Sequence, residues 1–131
     1  MKISRITAQR GCTLREFYSR AAEEFPALSD ILNGMVELID YVEATISSPD
    51  VFGVTSHLRL RLVAKNDYRS ETLVVIAPDV DVYDVSYELA PDFAPWDNAW
   101  VHGQARCVAE ATEMIAIALL NNTHCRNDLG T

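Results

Sequence analysis

Apolar and polar residues alternate along this chain with two periods, and the change from one to the other divides it. Between residues 13 and 50 the apolar side chains recur every three or four positions, the spacing that lines one face of a helix. Thr13 to Glu16 reads TLRE, a capping box in which the Thr hydroxyl and the Glu carboxylate each satisfy an otherwise orphaned backbone N–H. Leu14, Phe17, Ala21 and Phe25 follow at helical spacing until Pro26 interrupts, which predicts a first helix over about residues 13–25. Ser29 can cap a second helix, whose stripe is Ile31, Leu32, Met35, Leu38, Ile39, Val42 and Ile46. Gly34 opposes it, since glycine costs about 1 kcal/mol relative to alanine inside a helix. A rival reading makes Asn33-Gly34 a turn and residues 37–46 a strand, but the 3.6 period fits more of the positions, so a helix is expected up to Ser47–Asp50.

Beyond Gly53 the period falls to 2. Residues 54–64, VTSHLRLRLVA, read as one half-buried strand with Leu58, Leu60 and Leu62 inward and His57, Arg59 and Arg61 outward. A polar connection, KNDYRS, leads to ETLVVIA (71–77), apolar enough for the middle of a sheet. After Pro78-Asp79, residues 81–89 put Tyr83, Val85, Tyr87 and Leu89 on one face and Val82, Asp84, Ser86 and Glu88 on the other. WVHGQAR (100–106) can add a fourth short strand, whose small side, Val101, Gly103 and Ala105, would let a helix approach closely. That helix is CVAEATEMIAIALLNN, with Asn121-Asn122 marking its end and a loose tail over 122–131. The expected fold is a single α+β domain over residues 1–131: N-terminal helices, a three- to four-stranded antiparallel meander and a C-terminal helix packed on one sheet face. The links between strands are too short for parallel crossovers.

Between the third and fourth of these strands lies PDFAPWDNAW (91–100), which holds both tryptophans. Pro91 and Pro95 stiffen it by fixing φ. Either the loop folds back as a lid that buries Phe93, Trp96 and Trp100 over the end of the sheet, or it displays a rigid aromatic anchor rimmed by Asp92 and Asp97.

Charge sharpens the choice. The net charge is −8 over 131 residues, and its distribution is uneven. Lys2, Arg5, Arg10, Arg15 and Arg20 precede an acidic stretch of Glu23, Glu24, Asp30, Glu37, Asp40, Glu43 and Asp50. A second acidic run is Glu71, Asp79, Asp81, Asp84, Glu88, Asp92 and Asp97. Such a field disfavours nucleic acid and anionic membranes and speeds encounter with a basic protein. No stretch approaches the roughly 20 apolar residues of a membrane span, and the amino terminus lacks the apolar core of a secretory signal, so a cytoplasmic location is expected. Cys12, Cys107 and Cys125 match neither zinc nor CxxC spacing and read as free thiols.

No nucleotide-binding, metalloprotease or nucleophile-elbow motif is present. No cofactor or metal is expected, although His57, Asp84 and His102 have the chemistry of a metal triad if brought together. The leading expectation is therefore a non-enzymatic, acidic protein-binding module. It would neutralise a basic partner such as a nuclease-like toxin, as inhibitors and immunity proteins of this size and charge do. Asp84, Glu88, Asp92, Phe93, Trp96 and Asp97 are its contact residues. The alternative is a small metal-free enzyme or ligand-binding domain that uses His57, Arg59, Arg61 and His102 on one sheet face, the histidines as acid and base and the arginines as anion holders. A homodimer, joined through an exposed helix patch or an unpaired sheet edge, is a third possibility.

Overall fold

The computed structural model describes residues 1–9 and 11–130, with side chains up to residue 122. The capping box forms as its residue types dictate: Thr13 Oγ1 accepts from Glu16 N at 3.1 Å and Thr13 N donates to Glu16 Oε1 at 3.1 Å. It starts helix α1, Leu14–Glu24, which ends before a 3-10 turn at Pro26–Leu28. Helix α2, Ser29–Thr45, is continuous through Gly34, so the helical reading of residues 37–46 holds. Gly34 is tolerated because something takes the space beside it: the Tyr83 hydroxyl donates to the Gly34 carbonyl at 2.9 Å.

Six strands, among the described residues, form one mixed sheet in the order in which the chain makes them: β1 (Ile3–Arg5), β2 (Val51–Ser56), β3 (Arg59–Val63), β4 (Thr72–Asp79), β5 (Val82–Glu88) and β6 (Trp100–Ala105). Five form an antiparallel meander, longer than the expected three or four strands because the segment read as one strand is two. The sixth, β1, pairs parallel with β2, and α1 and α2 supply the long crossover that a parallel pair requires. Sequence reading missed β1 because three residues carry too little pattern. Carboxylates hold its start: Ile3 N donates to Glu43 Oε2 at 2.9 Å and, one residue before the strand, Lys2 N donates to Asp50 Oδ1 at 2.8 Å.

The segment read as one strand is a hairpin. Ser56 faces Arg59, so His57 and Leu58 are a two-residue turn, and His57 adopts a left-handed φ of 55°. The phase of alternation flips through that turn. Val51, Gly53 and Thr55 share the helix-covered face with Leu60 and Leu62, while Val54 and Ser56 lie opposite, with Arg59 and Arg61.

One core lies between the sheet and the helices, built from Leu14 and Tyr18 of α1, Leu32, Met35, Leu38, Ile39 and Val42 of α2, Leu60, Leu62, Leu73, Val74, Ile76 and Val85 of the sheet, and Ile115, Ala118 and Leu119 of α3. Leu73 and Val74 are both buried because a register irregularity next to Leu62/Val63 gives β4 an extra residue. Helix α3, Val108–Gly130, lies against β4, β5 and β6, and the small side of β6 admits it as expected: a Cβ at Gly103 would overlap the Met114 terminal methyl. Asn122, expected to open a loose tail, is held by hydrogen bonds to Leu73 O and Ala118 O, both 2.9 Å. The helix runs on past Asn121-Asn122, its expected end, as far as Gly130, so a backbone expected to be loose is helical up to that residue. Among the described residues the other sheet face carries no helix, and a small cluster in which Ile6 packs on Val54, Val63 and Phe52 lies on it.

Candidate functional site

The β5–β6 connection closes where Leu89 N donates to Ala99 O at 2.8 Å, and Ala99 is buried. Between these two residues the chain arches outward: Phe93 N and Ala94 N bond back to Ala90 O, and Asn98 takes a left-handed φ of 59°. The rings therefore do not form a lid. Phe93 is 66% exposed, Trp96 71% and Trp100 41%. Trp100 belongs to β6, stacks on His102 with ring centroids 6.4 Å apart, and lies opposite Glu88.

The arch overhangs a recess of about 700 Å³. Glu71 stands just before β4 and Glu88 ends β5, so antiparallel pairing of the two strands brings the carboxylates to the same end of the sheet. The arch adds Trp96, Asp97 and Asn98 to the wall, and Asn122 of α3 supplies the far side. No lysine or arginine lines this recess, and none of its three carboxylates takes part in an ion pair among the described residues. Three exposed carboxylates beside an exposed indole form a cation-receptive surface, in which charge attracts and the ring face adds a cation–π contact.

Three of the six expected contact residues, Glu88, Trp96 and Asp97, meet at this recess. Asp92 and Phe93 are exposed on the same arch but outside its lining. Asp84 does not join them: it lies four residues back along β5, roughly 13 Å away at the rise of a strand, half-buried between Ala77 and Gln104. Sequence reasoning counted Glu71 in the acidic run without selecting it. Only the register of β4 against β5 identifies it, and local pattern does not carry that register.

The remaining acids divide. Arg15 bridges Asp40 and Glu43, and Arg20 pairs with Glu16 at 3.4 Å, so amino-terminal arginines neutralise part of the first acidic stretch. At the opposite end of β4, roughly 23 Å from the first recess by strand rise, Asp30, Glu37, Asp79 and Asp81 line a second recess of about 620 Å³ together with Arg106.

The histidine face is not assembled. Arg59, Arg61 and His102 share the open sheet face, but His57 sits in the β2–β3 turn and borders a different recess with Cys12, Phe17 and Phe25. Three strand spacings, about 14 Å, separate the β3 and β6 positions. Arg61 is engaged locally, donating to the Tyr68 carbonyl. Among the described residues no three His, Cys, Asp or Glu side chains are grouped to hold a metal ion, so His57, Asp84 and His102 do not form a triad. Cys12 accepts from Arg5 at 3.2 Å and Cys107 is exposed, while His124 and Cys125 lie outside the described side chains. No described helix is long and apolar enough to cross a membrane. No protein-family model, curated protein or solved structure matches the chain.

Proposed function

We propose that this chain is an acidic protein-binding module that docks a basic partner at the Trp96 end of the sheet, in the manner of an inhibitor or immunity protein that neutralises a toxin in the cytoplasm. The supporting observation is the recess itself: Glu71, Glu88 and Asp97 converge beneath an exposed tryptophan, and its lining contains no cation. Carboxylates left unpaired around an aromatic anchor suit a lysine- or arginine-bearing surface, because they accelerate encounter and then give the partner's cations charge-assisted contacts. The two prolines hold the arch in one shape, which lowers the entropy lost on docking.

The test compares the wild type with a Glu71→Lys/Glu88→Lys/Asp97→Lys variant as baits for proteins of the native cytoplasm at low and high salt. A basic protein retained at low salt, released by high salt and absent from the variant supports the reading. Equal retention by both baits sinks it.

A further inference from the structure

One residue lining the Trp96 recess is neutral and yet offers it only an acceptor. Asn122 of α3 donates from its amide nitrogen to two carbonyl oxygens, Leu73 O and Ala118 O, both at 2.9 Å. Those two partners fix the orientation of the amide, because only its NH2 group can serve both. Its hydrogens are spent, so what Asn122 presents to the recess is its oxygen. Acceptors therefore reach the recess from four places: Glu71 just before β4, Glu88 at the end of β5, Asp97 on the arch and Asn122 on α3. Leu89, Pro91, Ala94 and Pro95 make the rest of the lining mostly apolar, beside the exposed Trp96 ring.

We infer that the group bound in this recess is an arginine side chain, and that the recess discriminates against lysine; this narrows the basic partner proposed above, on which it rests. A guanidinium is a plane whose N–H donors point in several directions, so one head group can serve acceptors on separate walls. An ammonium carries all its donors on one nitrogen. The guanidinium plane also stacks on an indole, whose quadrupole attracts the cation. It is the more weakly hydrated of the two cations, so it loses less on passing between apolar walls. Pro91 and Pro95 fix φ in the segment that carries Trp96, which keeps the platform in place before the side chain arrives. At about 700 Å³ the recess has room for the whole side chain. Lysine meets the same field without the same plane, spread of donors or ease of desolvation.

The test titrates the isotope-labelled full chain, by NMR, with two blocked tripeptides of equal charge, acetyl-Gly-Arg-Gly-amide and acetyl-Gly-Lys-Gly-amide. The readout is the indole N–H signal of Trp96, assigned by its loss in Trp96→Phe. The arginine peptide should bind about fivefold or more tighter than the lysine peptide. Trp96→Leu, followed on the backbone signals of Asp97 and Asn98, should cut that ratio to about twofold or less. Circular dichroism confirms that each variant is folded. Equal affinities for the two peptides, both lost in Glu71→Lys/Glu88→Lys/Asp97→Lys, would overturn the arginine preference and leave a general site for basic partners. Binding of both peptides undiminished in that variant would remove the recess as a site, and the basic-partner proposal with it. The inference is also overturned if neither peptide moves the Trp96 signal up to its solubility, whatever the capture experiment retains.

Discussion

A buried phenol and a half-buried one tie the helix layer to the sheet: Tyr18 of α1 donates to Leu58 O at 3.1 Å, and Tyr83 of β5 donates to Gly34 O at 2.9 Å. Burial is the main cause that raises the pKa of each, so both hydroxyls remain donors. In the unfolded chain a tyrosine ionises near its ordinary value of 10.0. The stabilisation is therefore complete below that pH and falls as pH rises above it. Denaturation midpoints measured across alkaline pH should decline, and Tyr18→Phe should flatten the decline while lowering stability at neutral pH by about 1 kcal/mol. Gly34 permits a sharper test. A Cβ there would stand 2.9 Å from the Tyr83 hydroxyl oxygen but 3.7 Å from the ring carbon that bears it. Gly34→Ala should thus gain little in the wild type, where helix propensity and crowding oppose each other. In a Tyr83→Phe background it should stabilise by about 1 kcal/mol. Equal effects in the two backgrounds, by urea denaturation, would show that the hydroxyl is not what holds this position to glycine.

At the level of elements, the β2–β3 hairpin is where pattern and structure part. A turn is usually announced by Gly, Asn or Asp, and His57-Leu58 is neither kind of residue pair. Continuous alternation through it imitates one long strand. His57 holds a left-handed φ at a cost of about 1 kcal/mol, which glycine would not pay. His57→Gly should therefore leave stability unchanged or raise it by up to about 1 kcal/mol in thermal denaturation. A loss of that size is what an extended strand position would show. The helices were legible for the opposite reason. The capping box, Pro26 and a 3.6 period are local signals, and each acts within one or two turns of the residue that carries it. The approach of α1 to β2 was not legible: a Cβ at Gly53 would lie 2.7 Å from Leu14 Cδ1, a contact between residues 39 positions apart.

Across the whole molecule, the net charge of −8 is not one field. Arg15 and Arg20 quench part of the acidity along α1 and α2, while the second run splits between the two ends of β4 and β5. What reaches the Trp96 arch is a small cluster of carboxylates with no countercharge in its lining. Electrostatic steering should therefore be directional. For the partner proposed above, reversing Glu71, Glu88 and Asp97 should slow association and flatten its dependence on salt, whereas Asp40→Asn, in a carboxylate already bridged by Arg15, should leave both within about twofold. Stopped-flow or surface-resonance rates at several ionic strengths measure the difference. Equal salt slopes for both variants would mean that steering does not come from this end of the sheet.

The chain by itself determined its two helical segments, the meander over residues 59–105, the inward leucines, the small side of β6 and the acidic balance. Each of these depends on side-chain periodicity or on residues within a turn of one another. Tertiary structure alone decided the parallel β1, the hairpin at His57, the outward rings of the 91–100 arch and the arrival of Glu71 beside Glu88 and Asp97. Those outcomes depend on which backbone groups pair across dozens of residues, and strand register, rather than local composition, chooses which side chains become neighbours.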